Sequence, residues 1–101
     1  MVTGYVPYRI HPETVTQCQH YAKLWLKIVP RLGGTHYGYF LPHGSANDVA
    51  LALFSFPSQA AYEEYRMRRA AGPECPAAYA YAAGTKCIIR YDRAFLWPML
   101  Q

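Results

Sequence analysis

The stretch Val49-Ala50-Leu51-Ala52-Leu53-Phe54 decides the fold of this chain, because it is the longest run in the sequence without a polar atom in any side chain. Turn and cap residues flank it, with Asn47-Asp48 before it and Pro57-Ser58 after it, so the pattern predicts a β-strand over residues 48–56. Successive side chains of a strand point to opposite faces of the sheet, and this run has apolar groups at both alternate positions. Both faces of the sheet therefore need cover at this strand.

The neighbouring segments are separated by proline and glycine. The first strand ends at His11-Pro12, and the helix that follows is closed by Gly33-Gly34. Ser58 suits the N-cap of a second helix, which Gly72-Pro73 ends. In chain order we predict strands over residues 2–10, 35–41, 48–56 and 87–93, helices over residues 12–32, 58–71 and 74–83, a turn over residues 42–47 and a tail over residues 94–101.

This order of elements is the split βαβ arrangement of α+β ferredoxin-like folds. It predicts one domain over residues 1–101, with a four-stranded antiparallel sheet and helices on one face. The other sheet face stays open in that arrangement, although the third strand is apolar on both sides. The simplest cover is the same face of a second copy, because most oligomers are symmetric. We therefore expect a homodimer with Val49, Leu51 and Leu53 at the interface.

Composition favours a folded domain without a nucleic-acid partner. Of the 101 residues, 52% are hydrophobic and 16% are charged, which provides enough apolar surface to fold. The net charge of +4 is mild. The one basic cluster, Arg66, Arg68 and Arg69, follows Glu63 and Glu64, and this spacing predicts ion pairs of Glu63 with Arg66 and of Glu64 with Arg68 on a solvated helix end.

Cysteine usage and the apolar pattern favour a cytoplasmic location. Cys18, Cys75 and Cys87 are odd in number and lack a CxxC spacing, so we expect reduced, buried thiols. The first ten residues lack the pattern of a signal peptide, and the longest apolar run is too short to cross a bilayer. We expect no membrane partner.

The histidines do not predict a metal site. His11, His20, His36 and His43 show neither an HExxH nor another metal-ligand spacing, so we expect neither a metal nor a cofactor. His36 lies on the second strand, where a hydrogen-bonded structural role is favoured over that of a general base. The sequence also lacks a nucleophile elbow and a phosphate-binding glycine loop.

Short motifs along the chain resemble those of the NIPSNAP family: Tyr8-Arg9-Ile10-His11-Pro12, Gly38-Tyr39-Phe40, Asn47-Asp48-Val49 and residues 58–73. Their order and spacing cover nearly the whole chain. The resemblance implies a dimeric α/β barrel, in which two ferredoxin-like sheets pack face to face with the helices outside. It therefore agrees with the homodimer expected from the third strand.

The chain departs from the family at positions that would carry polar groups. Bacterial members often have a Glu and an Arg in the first strand, where this chain has Gly4 and Val6. A His and a Trp of the third strand correspond to Ala52 and Phe54, and a Trp farther on corresponds to Cys75. The side chains that this chain keeps around those positions are aromatic and apolar. The wider superfamily implied by the resemblance also contains cofactor-independent oxygenases and haem-degrading enzymes.

Aromatic residues from several predicted elements form the candidate site. We expect them to line a pocket between sheet and helices, with phenol hydroxyls to orient a guest. The competing interpretation is that these rings simply fill the core. The candidate pocket residues are Tyr8, Trp25, His36, Tyr39, Phe54, Tyr62 and Tyr65.

Three functions fit this pattern. The first is a homodimer that binds a small hydrophobic or aromatic molecule, and the second is an enzyme of the cofactor-independent oxygenase type. The third is a protein-interaction module with an exposed aromatic patch. The sequence does not decide whether the protein is an enzyme. It does predict a pocket without a fixed cation, which would favour apolar guests over anionic ones.

Overall fold

The computed structural model describes residues 1–44 and 46–99 as a two-layer α+β structure. The strands are β1 (Val2–Ile10), β2 (Thr35–Phe40), β3 (Val49–Phe56), β4 (Ile88–Tyr91) and β5 (Ala94–Leu96), and the helices are α1 (Val15–Arg31), α2 (Gln59–Ala71) and α3 (Glu74–Thr85), with a short 3-10 turn over Pro12–Thr14. Ser45 of the predicted turn and residues 100–101 of the predicted tail lie outside the described ranges.

The sheet is antiparallel and has the order β2-β3-β1-β4, as the ferredoxin-like prediction requires. It has five strands rather than the predicted four, because Ala94–Leu96 of the predicted tail forms β5 and pairs with β1. The backbone N–H of Asp92 donates to the carbonyl oxygen of Pro7, which holds the chain beside β1 between the two short strands. β4 and β5 therefore share one edge of β1.

Local signals explain the helix boundaries. The hydroxyl oxygen of Ser58 accepts a hydrogen bond from the backbone N–H of Ala61, so Ser58 is the N-cap of α2 as predicted. Gly33 has a φ of +100° after α1, and the N–H of Gly34 donates to the carbonyl oxygen of Val29. A left-handed residue just past a helix is a common way to satisfy its last carbonyl groups. The chain is thereby turned into β2.

The main core lies between one sheet face and the helices. Ile10, Ala50 and Phe56 of the sheet pack in the same buried cluster as Trp25 and Ile28 of α1. All three cysteines are buried and free, and the thiol of Cys18 donates to the carbonyl oxygen of Cys87. Among the described residues, no helix combines the length and the apolar character that a membrane crossing requires.

The other sheet face carries no helix. Along β3, Ala50 and Ala52 are buried against the helices, whereas Val49, Leu51 and Leu53 alternate with them and face away. Their neighbours on the same face include Tyr5 of β1, directly across from Leu53. This open face is apolar at its centre. The structure thus bears out the two-sided character of β3, and the homodimer itself stays a prediction.

Candidate ligand-binding cavity

A cavity of about 460 Å³ lies between the sheet and the three helices. Its walls come from every strand except β5, from α1, and from the facing sides of α2 and α3. The residues that line it are Val6, Tyr8, Tyr21, Trp25, Val29, His36, Tyr39, Ala52, Phe54, Arg69, Tyr79, Ala82, Ala83, Ile88, Ile89, Arg90, Tyr91 and Arg93.

The floor of the cavity is made of short side chains. Val6 of β1 and Ala52 of β3 are direct cross-strand partners, and both are almost completely buried. They are also the positions at which the resemblance expects an Arg and a His. Longer side chains at these two positions would project into the space above the sheet. The substitution of small residues therefore leaves room for a guest.

Trp25 forms the buried wall on α1. Its side chain is 6% exposed, and its ring lies 5.3 Å from that of Tyr79 and 6.2 Å from that of Tyr21. The indole N–H has no hydrogen-bond partner among the described residues. Burial raises the pKa of Tyr21, and the nearby indole of Trp25 counteracts part of that rise. The Tyr21 hydroxyl and the indole N–H nevertheless do not meet in hydrogen-bond geometry. A buried donor without an acceptor costs free energy unless something supplies the acceptor.

His36 reaches the cavity from β2 in a fixed protonation state. The backbone N–H of Gly38 donates to His36 Nδ1 at 2.9 Å, so Nδ1 acts as an acceptor and the proton of the neutral ring sits on Nε2. Burial lowers the pKa of His36 to about 4. The ring stacks on Tyr39, with 5.0 Å between centroids. At neutral pH His36 can therefore offer an N–H donor to a guest, and its acceptor nitrogen is already occupied.

Tyr8 and Tyr39 stand side by side on the sheet, with ring centroids 6.0 Å apart. Burial raises the pKa of Tyr8 to about 12, and it raises the pKa of Tyr39 well above its usual value. Both phenols therefore keep their protons at physiological pH. They supply neutral hydroxyl groups, which can orient a guest but do not act as anionic bases.

The outer end of the cavity is positively charged. Arg69 of α2 and Arg93, which lies between β4 and β5, both belong to the lining. The guanidinium of Arg69 lies over the ring of Tyr65 at 5.2 Å, and that of Arg93 lies over the ring of Tyr91 at 5.8 Å. The expectation of a pocket without a fixed cation was therefore wrong, because α2 turns Arg69 toward the sheet.

The sequence model of the NIPSNAP family matches residues 6–100. This chain belongs to the NIPSNAP family. The family resemblance drawn from the short motifs is thereby confirmed. No curated protein has a sequence that matches this chain.

Solved structures share the fold of this NIPSNAP chain. A protein of Agrobacterium tumefaciens is 17% identical, with a TM-score of 0.83 over 99% of this chain and 95% of its own. An uncharacterized NIPSNAP domain protein of Burkholderia xenovorans is 18% identical, with a TM-score of 0.81 over 99% and 96%. A putative antibiotic biosynthesis monooxygenase of Nitrosomonas europaea is 4% identical, with a TM-score of 0.67 over 98% and 99%. At these identities the likeness shows the fold alone.

The NIPSNAP fold brings most, but not all, of the predicted pocket residues together. Tyr8, Trp25, His36, Tyr39 and Phe54 line the cavity. Tyr62 and Tyr65 are not part of the lining, because they pack on Phe56, with ring centroids at 5.5 and 4.7 Å. These two tyrosines thus serve the core beside the cavity. Whether the lining residues bind a ligand stays a prediction.

Several lining residues escaped the sequence analysis of this NIPSNAP chain. Tyr21 lies four residues before Trp25 on α1, and Arg69 lies four residues after Tyr65 on α2, so helical spacing could have placed both on inward faces. The predicted pair of Glu63 and Arg66 is present at 3.5 Å. Arg69, in contrast, does not lie at the solvated helix end with Arg66 and Arg68, because it lines the cavity. Tyr79 has no comparable signal in the alanine-rich sequence of α3.

The chemistry of the lining limits what the cavity can do. No cluster of metal-ligating side chains occurs in the part of the chain that the structure describes. None of the three buried cysteines belongs to the lining. The polar groups that do belong to it are phenols, one imidazole, one indole and the arginines. Such side chains are better suited to binding and orienting a ligand than to nucleophilic attack on it.

Proposed function

We propose that this NIPSNAP-family protein is a homodimer that binds a small hydrophobic or aromatic molecule in the cavity between sheet and helices. The observation that carries the proposal is the cavity itself, where aromatic rings surround a neutral His36 that can offer its Nε2–H. A bound guest with a carbonyl or ether oxygen would accept that hydrogen bond.

The size and surface of the cavity support this proposal. Small-molecule sites are commonly concave spaces of about 300 to 1,000 Å³, mostly apolar and with a few placed polar groups. The present cavity of about 460 Å³ lies in that range. Tyr8, Trp25, Tyr39 and Phe54 provide flat apolar walls, and burial of a planar guest against them is favourable at about 25 cal/mol per Å².

The open sheet face supports the homodimer. Val49 is 40% exposed, and Phe40, the partner of Leu51 on β2, is 52% exposed, although both are large apolar side chains. An apolar patch of this kind usually marks an interaction surface. A second copy is the occupant that the proposal names, because the same face of two identical chains is self-complementary about a two-fold axis.

Tryptophan fluorescence tests the ligand site. Trp97 is 79% exposed and lies outside the lining, so the Trp97→Phe variant leaves Trp25 as the only reporter. We expect methyl xanthone-2-carboxylate, a planar neutral compound with a carbonyl acceptor, to quench Trp25 with a micromolar dissociation constant. The matched Trp25→Phe variant should lose the signal. If only Trp97 responds, or if calorimetry shows no binding, the proposal is overturned in favour of the interaction module.

Oxygenation without a cofactor is the second candidate function. The specific observation is the neutral His36 stacked on Tyr39 in an apolar cavity, in a fold shared with a putative antibiotic biosynthesis monooxygenase. Oxygen uptake with anthrone tests it, since one O₂ converts anthrone to anthraquinone and water. Because His36 Nδ1 already accepts from Gly38, the geometry favours binding over proton abstraction. If the unmodified protein takes up oxygen with anthrone and the His36→Gln variant does not, oxygenation is favoured over simple ligand binding.

A further inference from the structure

Three arginines without acidic partners belong to the cavity lining: Arg69, Arg90 and Arg93. The ion pairs among the described residues join Arg9 with Asp48, Arg31 with Glu74, and Arg66 with Glu63. None of the three lining arginines takes part in these pairs. No aspartate or glutamate belongs to the cavity lining. The rim therefore carries positive charge that the described part of the chain leaves uncompensated.

Aromatic rings hold two of these arginines, Arg69 and Arg93, in place. Arg69 is partly buried, and its guanidinium lies over Tyr65, whereas that of Arg93 lies over Tyr91. Both groups act on one phenol at the rim: burial raises the pKa of Tyr79, and Arg69 and Arg93 each counteract part of that rise. The two cations thus face a common region. Stacking fixes their orientation before any ligand arrives, which reduces the entropy lost on binding.

The cavity lining also offers a hydrogen-bond donor. His36 has its proton on Nε2, because Nδ1 is occupied by the N–H of Gly38. No carboxylate or side-chain amide belongs to the lining. A guest with many donors would leave its own groups unpaired, whereas a guest rich in acceptors would satisfy those of the protein.

We infer that the cavity takes a planar aromatic carboxylate that also carries a carbonyl oxygen. The carboxylate meets Arg69 and Arg93 at the rim, and the carbonyl accepts a hydrogen bond from His36 Nε2. This assignment rests on the proposed function and names the ligand class of the same site. Arginine suits the role, because its planar fork of N–H groups matches the two oxygens of a carboxylate.

Three planar compounds separate the two parts of this inference by isothermal titration calorimetry. They are xanthone-2-carboxylate, its neutral methyl ester, and anthracene-2-carboxylate, which lacks the carbonyl. At low salt we expect xanthone-2-carboxylate to bind at least about tenfold more tightly than either of the others, because each lost contact removes a charge-assisted or a buried hydrogen bond. Raising the salt concentration should weaken the binding of the carboxylate and leave the affinity for the ester unchanged.

Variants then locate the charge preference. Arg69→Met keeps a long unbranched side chain beside Tyr65 and removes the cation, and Arg93→Gln removes another cation from an exposed position. Each should reduce the preference for carboxylate over ester by several fold, with the ester affinity retained. The matched control is Arg68→Gln, on the same helix but outside the lining, which should keep the full preference.

The outcomes distinguish this inference from the proposed function. Equal affinities for carboxylate and ester overturn the inference and leave the proposed function standing. An equal loss of preference in Arg68→Gln also overturns it, since the effect would then come from net charge alone. If neither xanthone compound binds, the proposed function fails and this inference fails with it.

Discussion

The ring of Phe54 occupies the space that a side chain at Gly4 would need. The two residues are direct cross-strand partners in β1 and β3, and a Cβ atom on Gly4 would lie 2.4 Å from Cζ of Phe54. Phe54 also lines the cavity and lies 6.1 Å from the ring of His36. The glycine therefore allows an aromatic wall to lie flat against the sheet. These are two of the positions at which the chain departs from the pattern expected of its family.

Replacing Gly4 by Ala should destabilise the protein by about 1–3 kcal/mol, because the methyl group must displace the ring of Phe54. Urea unfolding followed by circular dichroism measures the change. Gly84→Ala is the matched control, since nothing lies within 4 Å of an added Cβ there and the position is in α3. It should be neutral or stabilising by up to about 1 kcal/mol. Equal effects of the two substitutions would contradict the packing of Phe54 on Gly4.

Replacing Leu53 by Asp should dissociate the proposed homodimer. A charge buried without a partner costs about 3 kcal/mol or more, which is at least a hundredfold in the dissociation constant. Sedimentation should find the unmodified protein at twice its 11.5 kDa chain mass and the variant at the chain mass. Met67→Asp on the exposed side of α2 is the control and should stay dimeric. An unmodified protein that sediments as a monomer, or a folded Leu53→Asp dimer, would refute the predicted interface.

All three cysteines should titrate as free thiols after denaturation without reductant. In the native protein their reaction with Ellman's reagent should be slow. Burial raises the pKa of Cys18 to about 12, with Cys87 adding to the rise, and burial also raises the pKa of Cys75. Thiolate, the reactive form, is therefore scarce at pH 8. Fast native labelling of any of the three would contradict their burial.

His36 should make the protein less stable in mild acid. Its pKa falls from 6.5 to about 4 on folding, so the unfolded chain binds the additional proton between these values. Stability is then fully present well above pH 6.5 and decreases toward pH 4, by less than about 2 kcal/mol at pH 5 because solvent reaches part of the ring. The difference in unfolding free energy between pH 7.5 and pH 5 should shrink in His36→Gln. The exposed His43 is the control, and an equal change in His43→Gln would rule out this assignment.

Much of the fold could be predicted because its signals are local. Ser58 and Gly33 act within a few residues of themselves, as a helix cap and as a left-handed helix end. The alternation of Ala50, Leu51, Ala52 and Leu53 marked a strand with two apolar faces, which is what the structure shows. β5 was missed, because a three-residue strand has no period long enough to recognise and exists only by pairing with β1.

The sequence by itself determined the family, the order of elements and the supply of aromatic side chains, since these depend on composition and on spacing of a few residues. Tertiary structure alone decided which side chains share the cavity. Tyr65 and Arg69 lie four residues apart on α2, yet the first packs on Phe56 while the second reaches the rim. Arg93 meets that same rim from a segment beside β1. Contacts between distant segments depend on how the helices pack on the sheet, and no local sequence pattern predicts that packing.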